Sequence, residues 1–231
     1  NKEYKIKECE NIVNRRGELD ISKYGKLIGK GKTTLIRGEQ IERYSHVIDN
    51  KDNARNKVHK TQFMNEIKHT KKSKDINKQR IVGRQCAFLE KKRRLSFAMI
   101  NEGNIVGNSC NYLYIQKIIN FQNNWFLLGV LNSILSEWLI RLTSTNNHIN
   151  NYEINELPVP NKYIQEIAQK AEYLSNLYQK YNNEEKRYDK LRVEKELDIL
   201  IMRAFNLTNR EIKYIYKCIY PEKVNNLSEV L

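Results

Sequence analysis

The chain contains little proline and glycine: three prolines and nine glycines among 231 residues. Long flexible linkers are rich in such residues, so their scarcity argues against a string of loosely tethered modules. The composition is 40% apolar and 29% charged, which is typical of a folded protein and far from the disordered regime. A chain of this length has room for one large domain or two small ones, each with a real core.

Long hydrophobic runs and closely spaced cysteines are also absent. The most apolar stretch, residues 126–140, is short and contains Glu137, so we predict no signal peptide and no membrane span. The histidines do not lie at ligand spacing from the cysteines, and no Cys-x-x-Cys pair exists. We therefore expect no zinc site and reduced thiols in a soluble, cytoplasmic protein. The four cysteines are Cys9, Cys86, Cys110 and Cys218.

The chain begins at Asn1 rather than at a methionine. We therefore expect it to be a fragment of a longer protein.

A phosphate-binding loop is only superficially present. Gly29-Lys30-Gly31-Lys32-Thr33-Thr34 contains the Gly-Lys-Thr of such loops, but five residues rather than four separate Gly25 from Gly31. The loop works by feeding backbone amides into a helix N-terminus, and here a strand is predicted to follow. The segment is better interpreted as a basic glycine turn.

Other catalytic patterns are equally weak. Asp52, Glu66 and Lys68 have the loose order of a metal-dependent nuclease site, but they lie in a lysine-rich stretch with few core residues. No serine stands in a nucleophile-elbow context, and no dinucleotide-binding glycine fingerprint exists. We predict a non-catalytic chain without metal ligands, and a small nuclease that uses Glu66 and Lys68 stays open as an alternative.

Positive charge is concentrated in one block. Thirteen Lys or Arg residues and three acidic residues lie in residues 57–94, a net +10 in a chain whose total is +14. Such a density attracts a polyanion, because lysine and arginine neutralise phosphates and release condensed counterions. The block therefore predicts a nucleic-acid partner.

The pattern of apolar residues predicts an α+β fold. Short strands are expected at residues 33–36, 80–83 and 112–116, and residues 95–100 and 105–106 are expected to form a hairpin around the turn at 101–104. Residues 51–78 are predicted to be loop with some helix. Apolar residues at three- and four-residue steps predict one helix over residues 124–142, followed by an extended segment at 152–157.

A boundary is predicted at Pro160, between a mixed domain at residues 1–160 and an α-helical module at 161–231. Ile164, Ile167 and Ala171 begin a heptad-like seam that suits packing on a second helix. Thr208 and Glu211 form a capping box at the start of a last helix, which residues up to Ile219 complete.

Polar side chains suited to reading nucleic acid accompany the basic block. Arginine can fork onto guanine, asparagine and glutamine onto adenine, and lysine usually grips phosphate. The predicted contact residues are Arg37, Arg43, Tyr44, Arg80, Arg84, Gln85, Lys91, Lys92, Arg93, Arg94, Asn108, Ser109, Asn111, Asn146 and Asn147.

A series of short motifs runs along nearly the whole chain. They are Gly17-Glu18-Leu19-Asp20, Leu35-Ile36-Arg37-Gly38, Ile41-Glu42-Arg43-Tyr44, Arg80-Ile81-Val82-Gly83-Arg84-Gln85, Asn108-Ser109-Cys110-Asn111, Leu131-Asn132-Ser133, Ser144-Thr145-Asn146-Asn147, Glu153-Ile154-Asn155-Glu156-Leu157-Pro158-Val159-Pro160 and, in the tail, Leu197-Asp198 to Phe205 with Leu207-Thr208 and Glu211-Ile212. Their order resembles the TaqI-like C-terminal specificity domain, most of all that of type IIS and type IIG enzymes. This domain is the target-recognition part of adenine-N6 DNA methyltransferases and of fused type II restriction–modification enzymes.

The resemblance implies that the chain selects a sequence in double-stranded DNA opposite a methyltransferase domain of the same polypeptide. The adenine-pocket signature Asn-Pro-Pro-Tyr is absent here. S-adenosylmethionine, base flipping and any magnesium-dependent cleavage would therefore belong to other parts of the parent enzyme, and no cofactor is expected in this chain. A type I specificity-subunit fragment, which the heptad seam permits, and an RNA-binding protein attracted by charge alone stay open as alternatives.

Overall fold

The computed structural model describes residues 4–47, 54–120, 122–181 and 186–221. Its strands are Tyr4–Lys5 (β1), Ile12–Arg16 (β2), Ile28–Ile36 (β3), Lys57–Val58 (β4), Arg80–Arg84 (β5), Phe97–Ile100 (β6), Ile105–Val106 (β7), Cys110–Ile115 (β8) and Pro158–Val159 (β9). Its helices are Ile21–Tyr24 (α1), Lys60–Ile67 (α2), Lys71–Asp75 (α3), Asn124–Asn132 (α4), Ile134–Thr143 (α5), Asn151–Asn155 (α6), Ile164–Lys180 (α7), Arg187–Ala204 (α8) and Asn209–Ile219 (α9). The predicted α+β class is confirmed.

The central sheet is antiparallel and has the strand order β2-β8-β5-β6. Its inner strand β5 is buried up to Gly83, and β8 is buried from Cys110 to Tyr114. One face packs on helix α4, and the other packs on residues of a second sheet, so apolar residues occupy both faces. The strands predicted near residues 80–83 and 112–116 are confirmed.

The second sheet has the order β4-β3-β7, and it corrects the predicted hairpin. β6 pairs with β5, whereas β7 pairs in parallel with β3, through Leu35 opposite Ile105 and Ile36 opposite Val106. The turn between β6 and β7 is held away from a hairpin geometry, since the Gly103 amide donates to the Ile76 carbonyl at 2.7 Å. Ile105 and Val106 are buried beside Leu35 and Ile36 of β3. Burial against the second sheet therefore outweighs pairing with the neighbouring strand β6.

Residues 29–32 are a strand, not a basic glycine turn. They lie inside β3, whose pairing with β4 is irregular, because both Ile28 and Thr33 are opposite Val58. Gly29 has a φ of +84°, and a Cβ on Gly31 would lie 1.9 Å from the Val58 carbonyl oxygen. Gly29 therefore allows the irregular backbone, and Gly31 allows the close approach to β4.

The single helix predicted over residues 124–142 is two helices, α4 and α5, with an angle of 57° between them. Ser133 lies at the break in an extended conformation, and its hydroxyl accepts the Ser136 amide at 3.1 Å. A serine in this position satisfies the first free amides of a new helix, which the apolar periodicity alone cannot reveal.

Within the ranges that the structure describes, no single helix is long and apolar enough to cross a membrane. By length and composition alone, only the bent pair α4 and α5 would meet that test together.

Residues 151–155 form helix α6, which corrects the extended segment predicted at 152–157. The Asn150 amide donates to the Glu153 carboxylate at 2.7 Å, and this capping box starts the helix. Extended structure begins only at β9, which pairs with β1.

The predicted C-terminal helices are confirmed as α7, α8 and α9, the last with its capping box at Thr208 and Glu211. α7 and α8 run antiparallel, since Lys170 pairs with Glu196 while Tyr178, further along α7, bonds the earlier Glu194. α7 also packs against α4, in a core shared by residues on both sides of Pro160. The division into residues 1–160 and 161–231 stays a prediction.

Asp198 of α8 contacts two other helices, α5 and α9. Its buried carboxylate accepts the Ile134 amide of α5 at 2.7 Å and lies 3.4 Å from the Tyr216 hydroxyl of α9. Burial, which opposes the charged form, raises the pKa of Asp198 to about 6, although Arg93 and Arg43 act in the opposite direction. The folded protein therefore holds an extra proton between about pH 4 and pH 6, and this group's contribution to stability falls as the pH rises through that window.

We expect Asp198→Asn to remove this falling contribution, because the amide oxygen still accepts the Ile134 amide while the buried charge is gone. The variant should gain about 1–3 kcal/mol in unfolding free energy relative to the native chain between pH 4 and pH 8. Urea unfolding across that range measures the difference. Glu211→Gln is the control, since hydrogen bonds from Thr208 lower the pKa of Glu211 and its contribution is lost as the pH falls. Parallel stability curves for Asp198→Asn and the native chain would contradict the assignment.

Candidate nucleic-acid interface

Three segments meet at one end of the central sheet. They are the turn after β3, the end of β5 and the residues just before β8. The Gly38 amide donates to the Ser109 hydroxyl at 3.1 Å, and the Gln85 amide donates to the Ser109 carbonyl at 3.0 Å. Between them lies a shallow groove of about 360 Å³, called here the sheet-end groove, which is lined by Ile21, Arg37, Gly38, Glu39, Arg84, Cys86 and Ser109.

Arg84 holds this end of the sheet together. Its Nε donates to the Gly38 carbonyl at 2.8 Å and its Nη2 to the Ile41 carbonyl at 2.7 Å. The planar guanidinium thus joins β5 to the turn that follows β3, and its fork geometry suits two carbonyls at once. Arg84 shapes the groove that it lines.

Arg37 and Gln85 have more hydrogen-bonding capacity left. Arg37 Nη2 donates to the Arg55 carbonyl at 2.8 Å, and its Nε is buried without a partner among the described residues. Partial burial and the charge of Arg55 lower the pKa of Arg37, against the influence of Glu39. Gln85 is half-buried, and its side-chain amide has no partner within the described ranges. Gln85 directly follows β5 and lies in the chain between Arg84 and Cys86, which both line the groove.

Asn108 and Ser109 have structural partners and keep spare polar atoms. The Asn108 side-chain amide donates to Asp20 at 3.0 Å, and its carbonyl accepts Arg16 Nε at 2.8 Å. The Ser109 hydroxyl, which accepts the Gly38 amide, keeps its own proton for donation. Both residues are half-buried, and Ser109 lines the groove.

The loop at residues 144–149 runs beside the end of β5. Asn147 accepts the Ala87 amide on its carbonyl at 2.8 Å and the Leu89 amide on its side chain at 3.1 Å. Asn146 accepts the His148 amide at 2.7 Å. Both asparagines are exposed, so their side-chain NH₂ groups stay available to a ligand.

Arg80, Arg93 and Arg94 are structural, which corrects their prediction as nucleic-acid contacts. Arg80 and Glu18 form an ion pair at 2.8 Å with both side chains fully buried. Arg94 is 1% exposed and donates to the Ser144 hydroxyl at 3.1 Å. Arg93 donates to the Asn132 carbonyl and keeps only 7% of its side chain exposed.

Tyr44 and Asn111 are likewise buried, and Arg43 is half-buried and paired within the protein. Arg43 pairs with Glu194 of α8 at 2.9 Å, and Tyr44 is 1% exposed. Burial lowers the pKa of Arg43, but the stronger combined influence of Glu194 and neighbouring acidic groups raises it well above its usual value. Asn111 donates to the Ile149 carbonyl at 2.7 Å from a buried position. These residues join segments near the sheet-end groove to other parts of the fold. The sequence alone cannot distinguish that structural role from ligand contact.

The basic block therefore divides by residue type. Its arginines bind carbonyls and carboxylates inside the protein, whereas lysines such as Lys68, Lys71, Lys74 and Lys91 are exposed. Arginine is more weakly hydrated than lysine and is the better residue for buried pairs, which accounts for the division. The positive charge available to a polyanion is mainly lysine.

Two basic residues near the groove were missed in the sequence. Exposed Arg16 reaches the Asn108 carbonyl, and half-buried Lys72 donates to the Gly17 carbonyl at 3.1 Å. Arg16 ends β2 next to Arg15, but the pairing of β2 with β8, which brings it to Asn108, joins residues almost a hundred positions apart.

The described residues offer no arrangement that supports the nuclease alternative. Asp52 lies outside the described residues, and within them no group of three or more His, Cys, Asp or Glu side chains could hold a metal ion. Glu66 borders a separate surface cleft of about 520 Å³ beside Lys26 and Lys30.

The model of the TaqI-like C-terminal specificity domain matches residues 33–159, which include every predicted contact residue. The chain belongs to this family. No curated protein matches it in sequence.

Among solved structures, the chain is similar to the type IIL restriction–modification enzyme MmeI, determined in complex with DNA. The TM-score is 0.56 at 10% identity, over 98% of this chain and 37% of MmeI. It is also similar to the type IIG restriction endonuclease BpuSI, with a TM-score of 0.46 at 10% identity, over 87% of this chain and 31% of BpuSI. The likeness to MmeI shows a shared fold, and the chain spans about a third of the length of either enzyme.

Proposed function

We propose that the chain is a target-recognition domain that selects a sequence in double-stranded DNA for a restriction–modification enzyme. The observation that carries the proposal is the gathering of Arg37, Gln85, Asn108 and Ser109 at one end of the central sheet, inside the segment that matches the specificity-domain family. Arginine, amide and hydroxyl groups are the side chains that read base edges. The determination of MmeI in complex with DNA agrees with this assignment.

The polar groups would have three different roles: phosphate contact, base reading and structural support. Lys91 and Lys92 follow the turn that Asn147 anchors, and they would contact phosphates, which fixes the register without reading sequence. Arg37, Gln85 and Ser109 have polar atoms left for base edges. Arg84, with the buried arginines, would hold the reading groups in place.

The catalytic steps would lie elsewhere in the parent enzyme. The chain lacks the Asn-Pro-Pro-Tyr signature and spans 37% of MmeI, so an adenine-N6 methyltransferase domain that binds S-adenosylmethionine is proposed as its partner in the same polypeptide. Magnesium would be required only if the parent also cleaves DNA.

Selection from a pool of randomised duplexes tests the function. We expect the chain to enrich one duplex sequence at physiological salt, with an affinity that falls by about 0.9 log units per log unit of salt for each phosphate contacted. A scrambled duplex and a matched RNA duplex are the controls. Enrichment of no sequence, or equal affinity for the RNA, would refute the proposal.

Gln85→Ala and the pair Lys91→Ala with Lys92→Ala should separate reading from grip. Loss of the Gln85 side chain breaks no hydrogen bond described in the fold and should relax the preference at one base pair about tenfold or more. The lysine pair should weaken all duplexes alike and reduce the salt slope by about two. The same binding assays measure both variants. Arg93 and Arg94 are excluded from this test, because their replacement would disturb the fold.

A further inference from the structure

Two large apolar side chains are exposed beside the proposed interface. Phe88 is 52% exposed and Leu89 is 44% exposed, in the turn that follows the end of β5. Cys86 of the sheet-end groove lies two residues before Phe88. Two extended residues span about 7 Å, or roughly two base steps of a DNA strand.

The turn that carries these side chains is firmly anchored. Asn147 accepts the amides of Ala87 and Leu89, and the Lys91 amide donates to the Phe88 carbonyl at 3.2 Å. Arg94 Nε donates to the Ala87 carbonyl at 3.3 Å from its buried position. The turn therefore presents Phe88 to solvent on a scaffold with little freedom to fold it back into the core.

The surroundings of this apolar tip are basic. Lys91 and Lys92 follow within the same turn and are exposed, and Arg141 of α5 donates to the Lys92 carbonyl at 3.0 Å. A two-residue apolar patch flanked by lysines is small for a protein interface. It has the make-up of a wedge, an apolar side chain that enters a base step while neighbouring cations hold the phosphates.

Resting on the function proposed above, we infer that Phe88, supported by Leu89, inserts into the base stack of the bound duplex and opens one base step. The occupant of the tip is thus an unstacked step of double-stranded DNA. An aromatic ring serves this role because its face stacks on any base, while the lysines keep the strand close. The chain would then deform its target as well as read it.

The test uses the selected duplex with the fluorescent base 2-aminopurine placed at each position in turn, since its emission rises when stacking is lost. The native chain should brighten the base at one step, and Phe88→Ala should abolish that rise and weaken binding about tenfold or more. Phe88→Leu, which keeps a large apolar side chain without an aromatic ring, should keep the brightening. Ile118→Ala is the matched control, because Ile118 is 67% exposed at the opposite end of the sheet and should change neither measurement.

The outcomes separate the two proposals. Sequence-specific binding with no brightened step, or a brightened step that persists in Phe88→Ala, overturns the wedge and leaves the recognition function standing. Failure of the native chain to enrich any duplex overturns both. Thermal unfolding of Phe88→Ala should match that of the native chain, because the side chain is exposed, so a lost signal reports on DNA contact.

Discussion

Arg80→Met should lower the free energy of unfolding by about 3–5 kcal/mol, the largest single effect that we expect in this chain. Arg80 Nη1 lies 2.8 Å from Glu18 Oε1, and both side chains are fully buried. Arg80 Nη2 also donates to the Asn104 carbonyl at 2.5 Å. Methionine fills a similar volume, but it leaves the Glu18 carboxylate without its counter-ion in the interior.

The loss of unfolding free energy in Arg80→Met should depend on pH. Burial raises the pKa of Glu18 even with Arg80 in place, although the charge and hydrogen bond of Arg80 act to lower it. Without Arg80 the carboxyl should take up a proton more readily, and uptake of a proton relieves the buried charge. The effect of Arg80→Met should therefore be larger at pH 8 than at pH 5, because stability from a group with a raised pKa is lost as the pH rises.

Urea unfolding at these two pH values provides the measurement, with the double variant Arg80→Met and Glu18→Gln as control. Glutamine removes the buried charge and can still accept the Val106 amide, which Glu18 accepts at 3.0 Å. The double variant should recover most of the loss and show little dependence on pH. A loss below about 1 kcal/mol for Arg80→Met would show that the pair contributes little.

Gly17→Ala should lower the free energy of unfolding by about 2–4 kcal/mol. This loss exceeds that of ordinary overpacking, because the added Cβ would meet backbone atoms rather than a movable side chain. A Cβ at Gly17 would lie 2.0 Å from the Gly107 carbonyl oxygen and 2.9 Å from that of Val106. The added methyl group must push the segment after β2 away from the turn before β8. Asn108 and Ser109 follow Gly107 directly, so sequence-specific DNA binding should weaken together with stability.

Gly25→Ala is the matched control for this substitution. Its backbone is helical, with a φ of −54°, and a Cβ there meets no atom within 4 Å. The control should leave stability unchanged or raise it by up to about 1 kcal/mol, since alanine restricts the unfolded chain. Unfolding and duplex-binding measurements on both variants compare the two glycines, and equal effects at the two positions would contradict the close-approach argument.

Elements with a local signal could be predicted from the sequence. The strand at residues 80–83 is a short apolar run bounded by polar residues, and the last helix carries its capping box at Thr208 and Glu211. The family could also be assigned, because its motifs keep their order along the chain. The break at Ser133 was missed because the apolar stripe continues across it, and the hairpin at residues 95–106 was wrong because burial in separate layers outweighed local pairing.

The candidate site, like the fold, could be predicted only in part from the sequence. Charge and side-chain type pointed to a nucleic-acid partner and to Gln85, Asn108 and Ser109, which do gather at one end of the sheet. The same reasoning selected Arg80 and Arg94, because a guanidinium that would grip DNA and one that holds two loops together look alike in a sequence. Their partners, Glu18 and Ser144, are 62 and 50 residues away.

The sequence by itself determined the family, the α+β class and the excess of positive charge, because each depends on composition or on motif order. Only the tertiary structure decided which cations remain available to a ligand. Burial makes an unpaired polar group costly, so arginines near carbonyls and carboxylates from distant segments are held inside, and the lysines and a few amides are left at the surface. That partition depends on contacts between segments far apart in the chain, and it also leaves Phe88 exposed on its anchored turn.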